Sequence, residues 1–161
     1  MGIFSRSGND HPAVEPTGKA GGITYDPQLV DRLKQEHQEL MRILTEIKKA
    51  TAQCHFSQLP GLLADFKHVF LNHVGTENVK IYVYMQQHWE TDADTLSFVS
   101  GVRKEMNEIA RVVMKFIDAH LATAPSPVSV MMFNAELEKV GAALQKRMEV
   151  EETRVYALYH P

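Results

Sequence analysis

His37, His73, Glu77 and Glu152 are the residues of this chain whose types and spacing can do chemistry. Each interrupts a run of apolar residues at helical spacing, and Arg147, Met148 and Glu151 surround the last of them. An imidazole supplies a nitrogen donor. A carboxylate supplies an oxygen donor and offsets a cation's charge, so two of each would suit a non-haem iron or similar divalent ion. Such groups need a partner of some kind, because a buried charge is costly unless it is paired or bound to a metal. A second reading requires no ion: the Arg147 guanidinium could fork onto Glu77 or Glu152 and hold the carboxylates in a buried polar network. The residues leave both readings open.

For these side chains to meet, four segments must carry them to one height. Between residues 28 and 124 the one proline is Pro60, the period-two pattern of strands is missing, and apolar residues recur at three-four spacing. Helix A is predicted to open at Asp26-Pro27, an N-cap with proline behind it, and carries Val30, Leu33, Leu40, Leu44 and Ile47. Helix B starts near Ser57 with Leu59, Leu63, Phe66, Phe70, Ile81 and Tyr84. Helix C starts near Thr91, with Asp94 completing a capping box, and carries Val99, Val102, Met106, Ile109, Val113 and Phe116. Helix D follows the Ala124 to Pro127 break with Val130, Phe133, Leu137, Val140, Leu144 and Val155. Four helices of roughly 27 to 32 residues on short links predict an all-α, up-down-up-down antiparallel four-helix bundle over residues 26–161. The glycine-rich segment before it, residues 1–25, is predicted to be a disordered tail.

Counting along the helices brings the polar interruptions together. Helix A ends near Gln53, roughly 16 residues past His37, and His73 lies roughly 16 residues into helix B; both are about 24 Å from one end. Glu77 is one turn above His73 on the same face. Met106, and Arg147 to Glu152, fall near the same slab. His68 is about 140° round helix B from His73 and should not share the site.

Composition removes several function classes. The chain has 161 residues, 17 basic and 20 acidic, and a formal charge of −3, so the basic footprint of a duplex nucleic-acid binder is missing. One cysteine, Cys54, allows no internal disulfide. No apolar run approaches the roughly 18 residues of a membrane span. The start MGIFSRS lacks a signal-peptide core, and Arg6 breaks the myristoylation pattern, so the expected location is cytoplasmic. There is no glycine-rich phosphate loop, and no serine shares a stripe with a histidine base; no enzyme is expected.

Glu36-His37-Gln38-Glu39-Leu40, Phe66 through His73-Val74-Gly75-Thr76-Glu77, and Leu144 through Glu151-Glu152 resemble the hemerythrin-like (HHE cation-binding) bundles over residues 27 to 159. That resemblance implies a di-iron centre that binds oxygen or related ligands for storage, sensing or signalling. In it His37 and His73 are ligands to one iron, and Glu77 and Glu152 are the bridging carboxylates. Met106 and Arg147 stand where further histidine ligands belong, which implies a reduced centre with one iron rather than two, or none. The expected function is thus a metal-binding, sensing module. The alternative is a metal-free regulator: Leu29-Val30-Asp31-Arg32-Leu33 and Val140-Gly141-Ala142-Ala143-Leu144, with Arg147 and Glu151-Glu152 after them, are similar to the Rsd and AlgQ regulators. That family implies binding of the primary sigma factor of RNA polymerase, with Arg147 native to the pattern.

Helix directions gather Tyr25, Tyr82, Tyr84, Trp89, Tyr156 and Tyr159 at one end, either as a half-wet surface for a protein partner or as an end-cap of the core. Cys54, His55 and His120 should lie at the other end as exposed loop residues. Gly75 sits beside the proposed ligands and either admits a close approach or is tolerated. Met131 and Met132 read as gap-filling core.

Overall fold

The three-four spacing produces helices throughout, and the computed structural model describes residues 22–161. Helix α1 (Leu29–Ala52) buries Leu33, Leu40, Leu44 and Ile47, as its stripe requires. A 3-10 turn (Phe56–Gln58) leads into α2 (Leu59–Thr76), which runs through a wider π-helical stretch (Glu77–Tyr82) into the short α3 (Val83–His88). Helix α4 (Ala93–Ala122) returns, and α5 (Val130–Val150) closes the set, ending in a second π-helical stretch (Glu151–Val155) and a 3-10 turn (Tyr156–Leu158). Helix α1 packs on α2 and α5, and α4 packs on α2 and α5, the closed ring of neighbours of an antiparallel four-helix bundle. The expected all-α fold is therefore observed. Among the described residues no helix is long and apolar enough to cross a membrane.

Helix starts depart in detail from the sequence expectation. Asp26 Oδ1 accepts the Gln28 N–H at 3.0 Å in the turn before the helix, but the α-helix begins at Leu29, its N-cap is Gln28 and no side chain caps it. The cap of α4 is Asp92, not Thr91: its carboxylate accepts the Thr95 N–H at 3.0 Å and the Thr95 hydroxyl at 2.9 Å. At the end of α1, Cys54 takes the left-handed conformation (φ 58). The His55 N–H then reaches the Ala50 carbonyl at 2.8 Å and the Cys54 N–H reaches Thr51 at 3.1 Å, closing the helix in a Schellman turn.

Most of the expected tail, residues 1–25, lies outside the described residues. Its last part is held: the Ile23 N–H donates to Gln87 at 3.1 Å, and Tyr25 packs on Tyr84 and Tyr159.

The core has two apolar lobes. The larger contains Leu40, Ile47, Phe66, Phe70, Met106, Phe116, Phe133 and Leu144; the smaller contains Leu29, Leu33, Ile81, Tyr82, Met85, Val99, Val155 and Tyr156. On α1 the division falls between Leu33 and Leu40, on the second helix between Phe70 and Ile81, and on the last between Met148 and Val155. Buried polar residues occupy those intervals, His37, His73, Glu77 and Glu151, and a further one, Arg147, directly precedes the last interval. Met106, the helix C residue expected at this height, is buried at the adjoining edge of the larger lobe.

Gly75 faces open space, since a Cβ built on it meets nothing within 4 Å, so no close approach requires glycine there. Gly75→Ala is expected to stabilise the fold by up to about 1 kcal/mol, the ordinary helix-interior difference, read from the midpoint of urea denaturation.

Candidate functional site

The polar layer is assembled from three of the four long helical segments. His37 comes from α1, His73 from the last turn of α2 and Glu77 from the first position of the π stretch that follows. The fourth core position is Glu151, which opens the π stretch after α5, and Arg147 lies one turn before it. One ligand-type atom from each of His37, His73, Glu77 and Glu151 falls within 4.8 Å of the others. Both carboxylates thus sit where a helix widens, a local geometry that recurs at functional sites.

Glu152 does not join this set. Its side chain is 38% exposed and accepts from Nδ1 of His37 at 2.8 Å, whereas Glu151 is 1% exposed with Oε2 3.3 Å from His37 Nε2. The reason is rotation: Glu151 is seven residues after Leu144 and four before Val155, both buried, so it holds the inward face and Glu152 the flank. The same spacing was available in the sequence. The guanidinium of Arg147 likewise pairs with neither Glu77 nor Glu152. It donates from Nε to Glu151 Oε1 at 2.9 Å, the i,i+4 partner, and from Nη2 to the Tyr82 hydroxyl at 3.2 Å.

Two further participants escaped the sequence reading. Glu36 accepts from His73 Nδ1 at 2.8 Å, and the Tyr156 hydroxyl donates to Glu77 Oε1 at 2.6 Å. Glu36 stands next to His37 and is 35% exposed, so no apolar stripe marks it. Tyr156 lies beyond a π stretch, where the 100° step no longer counts correctly.

Electrostatics follow from this packing. Burial pushes Glu77 well above the usual carboxylate range, the Glu151 charge adds to it, and the Tyr156 hydrogen bond and Arg147 pull the other way. For His37, burial favours the neutral ring, but the hydrogen bonds to Glu151 and Glu152 outweigh it and raise its pKa. Burial, followed by repulsion from His37, pushes His73 down to about 4. Burial lowers the basicity of Arg147, and Glu151 and Tyr82 more than restore it.

The remaining candidates lie apart. His68 is exposed and shares a 3.2 Å contact with Asn72. Cys54 and His55 are exposed, and His120 hydrogen-bonds Glu136 at 2.8 Å. The aromatic residues do gather at one end, as expected, but inside it: Tyr82, Tyr84, Tyr156 and Tyr159 are buried. Trp89 is half-buried and donates to the Leu158 carbonyl at 3.1 Å, and Tyr84 donates to the His160 carbonyl at 2.8 Å. They cap the smaller lobe. Met131 and Met132, expected in the core, are 83% and 69% exposed at the start of α5.

The sequence from residue 19 to residue 159, which includes this whole layer, matches the family described as regulator of RNA polymerase sigma(70) subunit, Rsd/AlgQ. The chain belongs to the Rsd/AlgQ family. Comparison with curated proteins and with solved structures returns no match. Membership overturns the hemerythrin-like reading and the iron-based sensing function drawn from it. In an Rsd/AlgQ chain, Arg147 is no displaced ligand of a second iron; it is the buried partner of Glu151. The segments from Leu29 to Leu33 and from Val140 to Leu144 lie within the matched span, as the alternative reading required.

Proposed function

We propose that this protein binds the sigma(70) subunit of RNA polymerase directly and restrains its use. The observation that carries this reading is the family match across the entire bundle. A purified sigma(70) subunit, presented to the immobilised full chain, is expected to be retained as a stoichiometric complex. Absence of complex formation in calorimetry and in pull-down would refute the reading.

The docking face we assign is the groove between α4 and α5, because the aromatic end is buried. Val112, Phe116, Ala119 and Val140 line it, with Lys115, Lys139 and Glu136 at its margins. It continues along the same pair of helices past Ile109 and Ala143. Val112 is 61% exposed, and Met132 lies on the α5 face that leads to Glu136 and Val140 by helical spacing. Exposed apolar side chains contiguous with an apolar groove are what a protein partner desolvates. Charged margins would fix register. Val112→Asp is expected to weaken sigma binding by at least about tenfold, with an unchanged helical circular dichroism spectrum.

A further inference from the structure

We propose that His37, His73, Glu77 and Glu151 form a binding site for one divalent transition-metal cation of the zinc class, a structural ion at the junction of the two core lobes. This inference is independent of the sigma-binding surface.

The geometry argues it atom by atom. Each of the four side chains has one polar atom anchored by an outer partner and the other turned toward a common centre. His37 Nδ1 is held by Glu152 at 2.8 Å and His73 Nδ1 by Glu36 at 2.8 Å. Glu77 Oε1 is held by the Tyr156 hydroxyl at 2.6 Å and Glu151 Oε1 by Arg147 at 2.9 Å. The inward atoms are His37 Nε2, His73 Nε2, Glu77 Oε2 and Glu151 Oε2. An outer carboxylate on the far nitrogen of a ligating histidine fixes the tautomer and raises ligand basicity, and both histidines here have one.

The inward atoms meet chiefly one another, with the Tyr156 hydroxyl 3.4 Å from His37 Nε2. In the neutral tautomer that donates Nδ1–H outward, the form a cation would require, each ring directs an Nε2 lone pair inward, and those two nitrogens are 3.1 Å apart. His37 Nε2 also lies 3.3 Å from Glu151 Oε2, and His73 Nε2 lies 3.6 Å from Glu77 Oε2. Glu77 Oε2 is, among the described residues, the buried side-chain atom with no hydrogen-bond partner. Four electron-rich atoms therefore face one another in a dry interior. Metal–nitrogen bonds of about 2.0 to 2.1 Å place neighbouring ligands about 3.3 Å apart in a tetrahedron, which matches the observed nitrogen separation. Two imidazoles and two carboxylates would give a divalent ion a neutral set of ligands, with the Arg147 guanidinium on the outer oxygen of Glu151. A proton shared between the two Nε2 atoms is the competing occupant, and it has a different signature.

The test uses the full chain, stripped with EDTA and returned to metal-free buffer at pH 7. Zinc chloride is titrated by calorimetry, and cobalt(II) chloride is titrated by visible absorption. One equivalent per chain is expected, with a higher melting temperature in zinc than in EDTA and cobalt bands intense enough for a coordination number below six. Glu77→Gln, which keeps shape and removes charge, and His73→Gln are each expected to weaken zinc binding at least tenfold. Glu152→Gln, acting through His37, is expected to weaken it about 10- to 100-fold. A folded wild-type chain that takes up no stoichiometric zinc, and melts identically in zinc and EDTA, would assign the centre to a proton and overturn the proposal. Undiminished zinc binding in both Glu77→Gln and His73→Gln would overturn it equally. Sigma(70) capture by the same zinc-loaded and stripped samples reads the proposed function separately.

Discussion

Arg147→Ala is expected to cost about 3 to 5 kcal/mol of folding stability, the loss typical of stranding one member of a buried ion pair. Arg147 is 3% exposed, and the Glu151 carboxylate it faces is 1% exposed. Its removal also takes the guanidinium donor from the Tyr82 hydroxyl. Glu151 would then share a dry layer with Glu77, whose own pKa burial already raises. Urea denaturation in EDTA, where no cation can compensate, measures the loss. Combining Arg147→Met with Glu151→Gln should recover most of it, because neither member of that pair is then left charged inside. A single variant within about 1 kcal/mol of wild type would show that Arg147 is not the partner that makes Glu151 tolerable.

The second large effect separates two adjacent glutamates. Glu151→Ala is expected to destabilise by about 3 to 5 kcal/mol, since it leaves the buried Arg147 charge with only the exposed Glu105 carboxylate, 3.7 Å away. Glu152→Ala is expected to cost about 1 kcal/mol or less, because its carboxylate is 38% exposed and water can replace it. Equal losses in the same denaturation series would place both carboxylates in the interior and contradict the observed rotation of the helix.

This contrast shows how far the sequence can be read. The helices were legible because Leu33, Leu40, Leu44 and Ile47, and their counterparts on the other segments, follow a single step angle, and burial follows it in turn. The height of the polar layer was legible too. Rise per residue is nearly constant, so His37 and His73 could be brought level by counting, and their nitrogens do meet at 3.1 Å. Rotation near Glu151 was harder. Glu151 and Glu152 differ by about 100°; counting height along the helix selects Glu152 as readily as Glu151, and it is the stripe from Leu144 to Val155 that puts Glu151 inside. Past Glu77 and Glu151 the helices widen, and no residue type announces that, so Tyr156 could not be placed against Glu77 from its number. Glu36 was hidden for a different reason. It reaches the layer from a half-exposed position, and amphipathic periodicity marks only residues that are inside. Aromatic clustering was legible, but whether tyrosines cap a core or face a partner depends on what covers them, here one another and the chain end.

The division of the interior into two lobes has a thermodynamic corollary. Dispersion contacts are continuous within each lobe, whereas the stratum between them is joined by ion pairs and hydrogen bonds. Cooperativity across that stratum is carried by directional interactions that fail together once their geometry is lost, so the smaller lobe can open as a unit while the larger stays folded. Native-state hydrogen exchange should therefore show amides around Ile81, Met85 and Val99 sharing one opening free energy, below that of amides around Phe66, Ile117 and Leu137. A single value for both groups would mean that the bundle breathes as one body.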